Sequence, residues 1–313
     1  KTTMDKHFSL KIHACRGSFP VAGGDYERYG GATSCVTVQA GTRSLIFDAG
    51  TGIINHGKEL VHAMIQTGEP IDAYLFVTHM HLDHLFGLPY FAPMYIPSAT
   101  VHLWGPRMGH FETFEDAIDT LISPPFFPVP LHEMNAVKSF HDISEAHVLY
   151  FLKGCHEPVL CRGMHPSDKA SVPNPEDVEV AVHVMRGFNH PKSGVLIYKI
   201  VYDGRSVVYA TDTEGYVHGD QRLIKFAKGA EVLLHDAMYT SDRYISMPGP
   251  TQGYGHSTVE IAARVAEQAG VRQLVLFHHD PASTDADLDA VARAGREAFD
   301  NTLCAADGLV LEL

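Results

Sequence analysis

The stretch "FVTHMHLDHLFGLP" (77–90) sets His79, His81, Asp83 and His84 within six positions, at the end of an apolar, strand-like run. His and Asp each occur 21 times among 313 residues. A random H-x-H-x-D-H is expected roughly 0.006 times in such a chain, so chance accounts poorly for it. On an extended segment His79 and His81 project to one side. Asp83 and His84 fall beyond it, where "HLDHLFGLPYF" can turn into a helix. Neutral imidazoles and a carboxylate suit Zn2+ or a similar divalent ion. Four such groups on one turn can serve two adjacent ions with two ligands each, so other parts of the chain must complete the set.

Candidates for completion stand at the ends of buried-looking runs. His190 precedes "SGVLIYKIVY", Asp212 ends "SVVYATD" and His278 ends "QLVLFH". Alone, each is more simply a core or surface residue. Together they favour a dinuclear site over a set of coincidences.

The order of elements frames that site. Strand candidates are 8–14, 33–40, 44–50, 73–79, 100–105, 178–185, 193–202, 206–212, 231–237 and 273–278. Helical patterns occupy 55–67, 111–122, 219–228, 257–269 and 284–298, with Ser257 as a cap for the fourth and Glu260 three residues later. Two facing sheets with helices outside fit this order better than one continuous parallel sheet. No linker or repeat interrupts the chain, so residues 1–313 read as one domain. The Phe- and Pro-rich stretches near 107–135 and 155–178 read as surface insertions, able to act as lids or as contacts of a homodimer.

Composition removes several function classes. The hydrophobic fraction is 45% and the charged fraction 19%, as in soluble globular proteins. The net charge of −13 and the lack of a Lys/Arg block weigh against a long nucleic acid as partner. A small phosphate ester stays open, because a metal site supplies positive charge locally. The longest apolar runs are too short for a bilayer, so no membrane partner is expected. The first residues lack a signal-peptide core, and the cytoplasm is the expected compartment. Five scattered cysteines (Cys15, Cys35, Cys155, Cys161, Cys304) read as small buried thiols rather than a disulfide framework.

"THMHLDH" resembles the signature of the metallo-β-lactamase superfamily, and the later candidates fall in that family's order. The likeness runs from "GGATSCVTV" to "LVLFHHDP". It implies an α/β fold, the four-layer αββα sandwich. It implies that His79, His81 and His190 hold one ion, that Asp83, His84 and His278 hold the other, and that Asp212 bridges both. Two divalent ions follow, expected to be Zn2+, although Mn2+ or Fe can occupy such sites. Oxygen-reducing diiron relatives place a glutamate where this chain has His81, which favours hydrolytic zinc chemistry. Asp48 in "IFDAG" matches the family's first motif, which supports the metal loop; an ordinary turn Asp after a strand is an equal reading.

"GYGHSTVEIAARVAEQAGVRQLVLFHH" resembles the RNase Z-like phosphodiesterase branch, whose H-S-T histidine, here His256, acts beside the metals. "VLLHDAMYT" resembles that branch's "HEAT" stretch, with Asp236 where Glu is usual, and leaves the roles of His235 and Asp236 open. His279 would face away from the site. The long basic arm that grips tRNA is missing from the sequence, a departure that puts tRNA processing itself in doubt. The expected chemistry is attack on phosphorus by metal-bound hydroxide, with His256, Asp83 and Asp212 as the catalytic residues and His256 protonating the leaving oxygen. The expected substrate is a small or cyclic phosphodiester. The same scaffold can serve lactones, thioesters, β-lactams or binding without catalysis, which fold alone does not separate.

Overall fold

A computed structural model describes residues 7–162, 172–216 and 218–313. Its strands are β1 (Phe8–Ala14), β2 (Cys35–Ala40), β3 (Arg43–Phe47), β4 (Asp72–Phe76), β5 (Thr100–Pro106), β6 (Val137–Ile143), β7 (His147–Leu152), β8 (Val159–Arg162), β9 (Val178–Gly187), β10 (Val195–Tyr202), β11 (Arg205–Ala210), β12 (Val232–Asp236), β13 (Gln273–Phe277), β14 (Thr302–Cys304) and β15 (Val310–Glu312). The helices are α1 (Ile53–Thr67), α2 (Phe114–Leu121), α3 (Gln221–Ala227), α4 (Ser241–Ile245), α5 (Val259–Ala269) and α6 (Asp285–Ala298). One sheet runs β15-β1-β2-β3-β4-β5-β6 and the other β14-β13-β12-β11-β10-β9-β7-β8.

Three apolar clusters define four layers. Phe8, Phe47, Phe76, Tyr198, Tyr209 and Phe277 meet between the sheets. Ile53, Leu75, Val101, Phe114 and Ile118 pack α1 and α2 onto the first sheet. Leu223, Val265, Leu274 and Leu288 pack α3, α5 and α6 onto the second. Each such burial stabilises the fold by about 1.5–3 kcal/mol, and the arrangement is the αββα sandwich expected from the resemblance.

Topology places the site. β3 to β6 run parallel, as do β11 to β14. Functional groups gather at the carboxyl ends of parallel strands, and here those ends are stitched together. The Thr78 carbonyl accepts from Leu196 N at 2.8 Å, drawing the chain after β4 out of its own sheet and toward β10. Arg16, following β1, pairs with His279, following β13. The strand expected over 73–79 therefore ends at Phe76.

Other expectations need correction. The helix expected after His81 takes the form of short 3-10 turns at Leu82–His84, Leu88–Tyr90 and Ala92–Tyr95, with Pro89 and Pro93 blocking a longer α-helix. Thr258, not Ser257, caps α5, accepting from Ile261 N, because the Ser257 hydroxyl donates to Thr213 O at 2.6 Å. Residues 107–135 are not merely a surface insertion: α2 lies there, and Leu131 and Met134 enter the core. Of the second insertion, 163–171 lie outside the described residues. Cys15, Cys35 and Cys161 are buried thiols, but Cys155 is exposed and Cys304 half-buried. No helix among the described residues is long and apolar enough to cross a membrane.

Candidate metal centre

Three overlapping groups of ligand-type side chains lie at the stitched edge; one joins Asp236 and His256 to Asp212 and His278, and the other two are pockets made of the seven expected ligands. His79, His81, His190 and Asp212 form one, and Asp83, His84, Asp212 and His278 form the other. All seven residues singled out in the sequence are thus brought together, from the loop after β4, the segment before β10, and the ends of β11 and β13. Asp212 divides its carboxylate between the pockets. Its Oδ1 lies 3.7 Å from His79 Nε2 and 3.5 Å from His190 Nε2. Its Oδ2 lies 3.0 Å from His84 Nε2 and 3.3 Å from His278 Nε2. Asp83 Oδ2 completes the second pocket, 3.4 Å from His84 Nε2 and 3.2 Å from His278 Nε2.

The donor set fits divalent cations. His79 Nε2 is buried without a hydrogen-bond partner, and His190 Nε2 faces His81 Nδ1 at 3.0 Å. His84 Nε2 faces His278 Nε2 at 3.3 Å. Such convergence of imidazole nitrogens needs a cation or shared protons to be stable. Ligands about 2.0–2.1 Å from a common tetrahedral ion stand at similar mutual separations. Several rings are also anchored from behind, the support that orients metal-binding histidines. His84 Nδ1 meets Asp48 Oδ2 at 2.8 Å, His190 Nδ1 meets Gly255 O at 3.0 Å, and His79 Nδ1 meets Thr78 Oγ1 at 3.0 Å.

Asp48 organises this support. Its buried carboxylate accepts from Thr78 N at 2.8 Å and from the Tyr209 hydroxyl at 3.0 Å, besides contacting His84. That is the supporting role rather than the ordinary turn. Asp48, Asp212 and His278 have positive φ, at 61°, 50° and 62°, where an L-residue costs about 1 kcal/mol or more. The strained conformation turns each side chain out of its strand and into the site.

Electrostatics in the metal-free protein follow from this crowding. Burial alone would lower the pKa of His84, but Asp212, Asp83 and Asp48 outweigh it and hold a proton there. Burial, reinforced by His84, keeps His79 neutral, its pKa well below the ordinary value. Burial opposes ionisation of Asp83 and Asp212, yet the surrounding histidines keep both carboxyls below their usual range.

His256 stands beside the pockets, its ring 5.0 Å from that of His278 and 5.2 Å from that of His190. Its Nδ1 lies 2.7 Å from Asp236 Oδ2. Burial disfavours its charge, but Asp236 overcomes this and pushes the pKa up to about 9. Asp236 Oδ1 also accepts from Ser257 N and Met238 N, so the residue left open in the sequence positions the H-S-T loop. His235 is buried, with Nδ1 2.7 Å from the Asp236 carbonyl, and belongs to neither pocket. His279 turns away to Ala305 O at 2.9 Å.

Some contributors carry no ligand signature in the sequence. Ser18 N donates to Asp83 Oδ2 at 2.8 Å. Arg16, fully buried, donates to the carbonyls of Gly30, Asp280 and Ser283, tying the loop after β1 to the one after β13. A Cβ at Gly17 would overlap the His278 ring, and one at Gly255 the His190 ring; glycine at both keeps the rings in place.

The centre opens through His81, His190 and His256 onto a cleft of about 810 Å3. Arg107, Arg186 and Lys192 line that cleft, and among the described residues no carboxylate does.

The chain is similar to ribonuclease Z of Thermoplasma acidophilum, at 26% identity over 245 residues, covering 73% of this chain and 75% of that protein. It is 29% identical to ribonuclease BN of Escherichia coli O7:K1 over 286 residues, covering 86% and 88%. The metallo-β-lactamase fold protein YhfI of Bacillus subtilis shares its fold, with a TM-score of 0.65 at 17% identity, over 98% of this chain and 100% of that one. The family match and these relatives support a metal-dependent hydrolase. Residues 43–279 match the β-lactamase superfamily domain, and the chain belongs to that family.

Proposed function

We propose that the protein is a phosphodiesterase that cleaves a small or cyclic phosphodiester, with two divalent ions, Zn2+ by choice of ligands, as cofactors. His79, His81, His190 and Asp212 would hold one ion, and Asp83, His84, His278 and Asp212 the other. Bound there, the ions supply Lewis acidity toward water and the phosphoryl oxygens. The chain's own residues do the rest. Asp212 presents one oxygen to each pocket and, with Asp83, sets negative charge against the cations. Asp48 holds His84 and the Thr78 turn in register.

The observation that carries the reading is the Asp236–His256 pair at 2.7 Å, with His256 set against both pockets and lining the cleft. Asp236 accepts the Nδ1 proton and leaves Nε2 as the position from which His256 donates to a leaving oxygen. A poor alkoxide leaving group needs that proton, worth about 10²–10⁴-fold as general acid catalysis. The cleft's Arg107, Arg186 and Lys192 suit an anionic ester. A long polynucleotide requires a basic track along many phosphates, at odds with the net charge of −13. A small substrate is therefore favoured even though the curated relatives are named as ribonucleases.

The test is metal content by elemental analysis, then turnover of bis-p-nitrophenyl phosphate, cyclic nucleotides, lactones and nitrocefin. Two ions and hydrolysis confined to the phosphodiesters are expected. Turnover of a lactone or nitrocefin with inert phosphodiesters would replace the reading with hydrolysis of another bond.

A further inference from the structure

Beside the cationic cleft lies a second concavity, a groove of about 580 Å3. The two meet: Met80, Met108 and His110 line both. Met80 stands between His79 and His81, so the ligand loop forms part of the shared wall. The cleft brings Arg107, Arg186 and Lys192 together in a chain with 37 Asp and Glu against 24 Lys and Arg. The groove is of opposite character, with Leu82, Phe86, Tyr90, Phe111, Phe126 and Phe127 in its walls. Tyr90 is 59% and Phe126 81% exposed. A cluster of exposed apolar side chains marks a surface that something apolar covers.

We infer that the substrate is an amphiphilic phosphodiester: its reacting phosphate lies at the mouth of the two ligand pockets, a further anionic group meets Arg107, Arg186 and Lys192, and an alkyl or aryl substituent fills the groove. The inference rests on the phosphodiesterase reading and narrows it to a substrate class. Ions in the ligand pockets answer the charge of the reacting phosphate, so three more cations lining the cleft answer additional negative charge. The groove falls in the size range of small-molecule sites. Methionines at its junction with the cleft adapt to substituents of different shape. A second copy of the chain laid over the groove would leave the cations of the cleft unanswered, whereas one amphiphilic molecule uses both surfaces.

Calorimetry on the metal-replete protein tests this with alkyl(methyl)phosphinates, the alkyl group running from methyl to octyl, which resist hydrolysis because both substituents are bound to phosphorus through carbon. Octyl should bind at least tenfold tighter than methyl, because about two buried methylenes are already worth about tenfold. The double variant Tyr90→Ser/Phe126→Ser, altering exposed side chains, should erase that difference and leave methyl binding unchanged. Arg107→Ala/Lys192→Ala should weaken a methylphosphinate carrying a carbon-linked phosphonate at least tenfold and the simple phosphinates much less. Equal binding of methyl and octyl would overturn the inference. So would a groove variant that converts a dimer to a monomer while keeping the octyl preference, which would make the groove a subunit contact. Hydrolysis of methyl and octyl p-nitrophenyl phosphates separates the two levels. Equal kcat/KM for both overturns the amphiphilic substrate and leaves the phosphodiesterase standing. No hydrolysis of either overturns the phosphodiesterase reading and this inference with it.

Discussion

The pocket of Asp83, His84, Asp212 and His278 has all four side chains buried, whereas the pocket of His79, His81, His190 and Asp212 exposes His81 to the cleft. The enclosed pocket has Asp48 behind His84 and Ser18 N on Asp83. The open one is held from behind by Thr78 and by the Gly255 carbonyl, and its remaining side faces the cleft. For the proposed dinuclear site the difference implies a division of labour: one pocket would retain a cation, and the other would bring a cation and a ligand together. Among the described residues, Asp212 is the group common to both pockets.

Asp212→Ala strikes both pockets and should have the largest effect. It removes a ligand from each ion and the charge that sets two cations side by side. At least one ion should be lost and turnover should fall by about 10³-fold or more, the scale of losing a major electrostatic contributor. Elemental analysis with a p-nitrophenyl ester assay checks this. Two retained ions with unchanged turnover would contradict the bridging role.

His256→Ala should spare both pockets and separate chemistry from binding. Both ions should remain, while esters with poor leaving groups slow by about 10²–10⁴-fold and p-nitrophenyl esters far less. Equal slowing of both ester types would make His256 a phosphate-positioning residue. Loss of metal would make it part of the ligand shell.

The two glycines sharpen the comparison directly. Gly17→Ala pushes on His278 in the enclosed pocket, and Gly255→Ala on His190 in the open one. Each should weaken the ion in its own pocket by about 10–100-fold, as loss of an orienting contact does, and leave the other nearly untouched. Chelator titration of Co2+-loaded protein, followed by its visible bands, resolves the two steps. If both variants weaken the same step, the pockets are not independent.

The smallest effect is a shift in pH profile. Asp236 raises the pKa of His256 above its ordinary value, so the proton needed by the leaving group is present below that pKa and lost as pH rises through it. Cations bound nearby bring the pKa below the metal-free value of about 9. Asp236→Asn removes the stabilising charge, and the alkaline limb for poor leaving groups should move to lower pH by about 1–3 units. A limb that stays in place would assign it to another group.

Much of this architecture was legible before the structure because it rests on short-range pattern. The density of ligand types at 79–84 and the placement of His190, Asp212 and His278 at the ends of apolar runs point to one edge, and parallel topology delivers them there. What the sequence hid depends on long-range pairing. The Asp236–His256 contact joins β12 to a loop 20 residues on, and Ser18 reaches Asp83 across 65. Edge strands were also hidden: β8, β14 and β15 are three or four residues long, too short for a period to declare itself, and β6 mixes exposed and half-buried positions. Thr258 displaced Ser257 as the α5 cap because the Ser257 hydroxyl is taken by Thr213, a partner 44 residues away.

Anomalous diffraction from Zn2+-loaded crystals tests the shared-carboxylate account most directly. It should show two peaks per chain about 3.5–4 Å apart, each about 2.0–2.2 Å from an Asp212 oxygen, with His79, His81 and His190 around one and Asp83, His84 and His278 around the other. A single peak, or two peaks of which Asp212 touches only one, would contradict it.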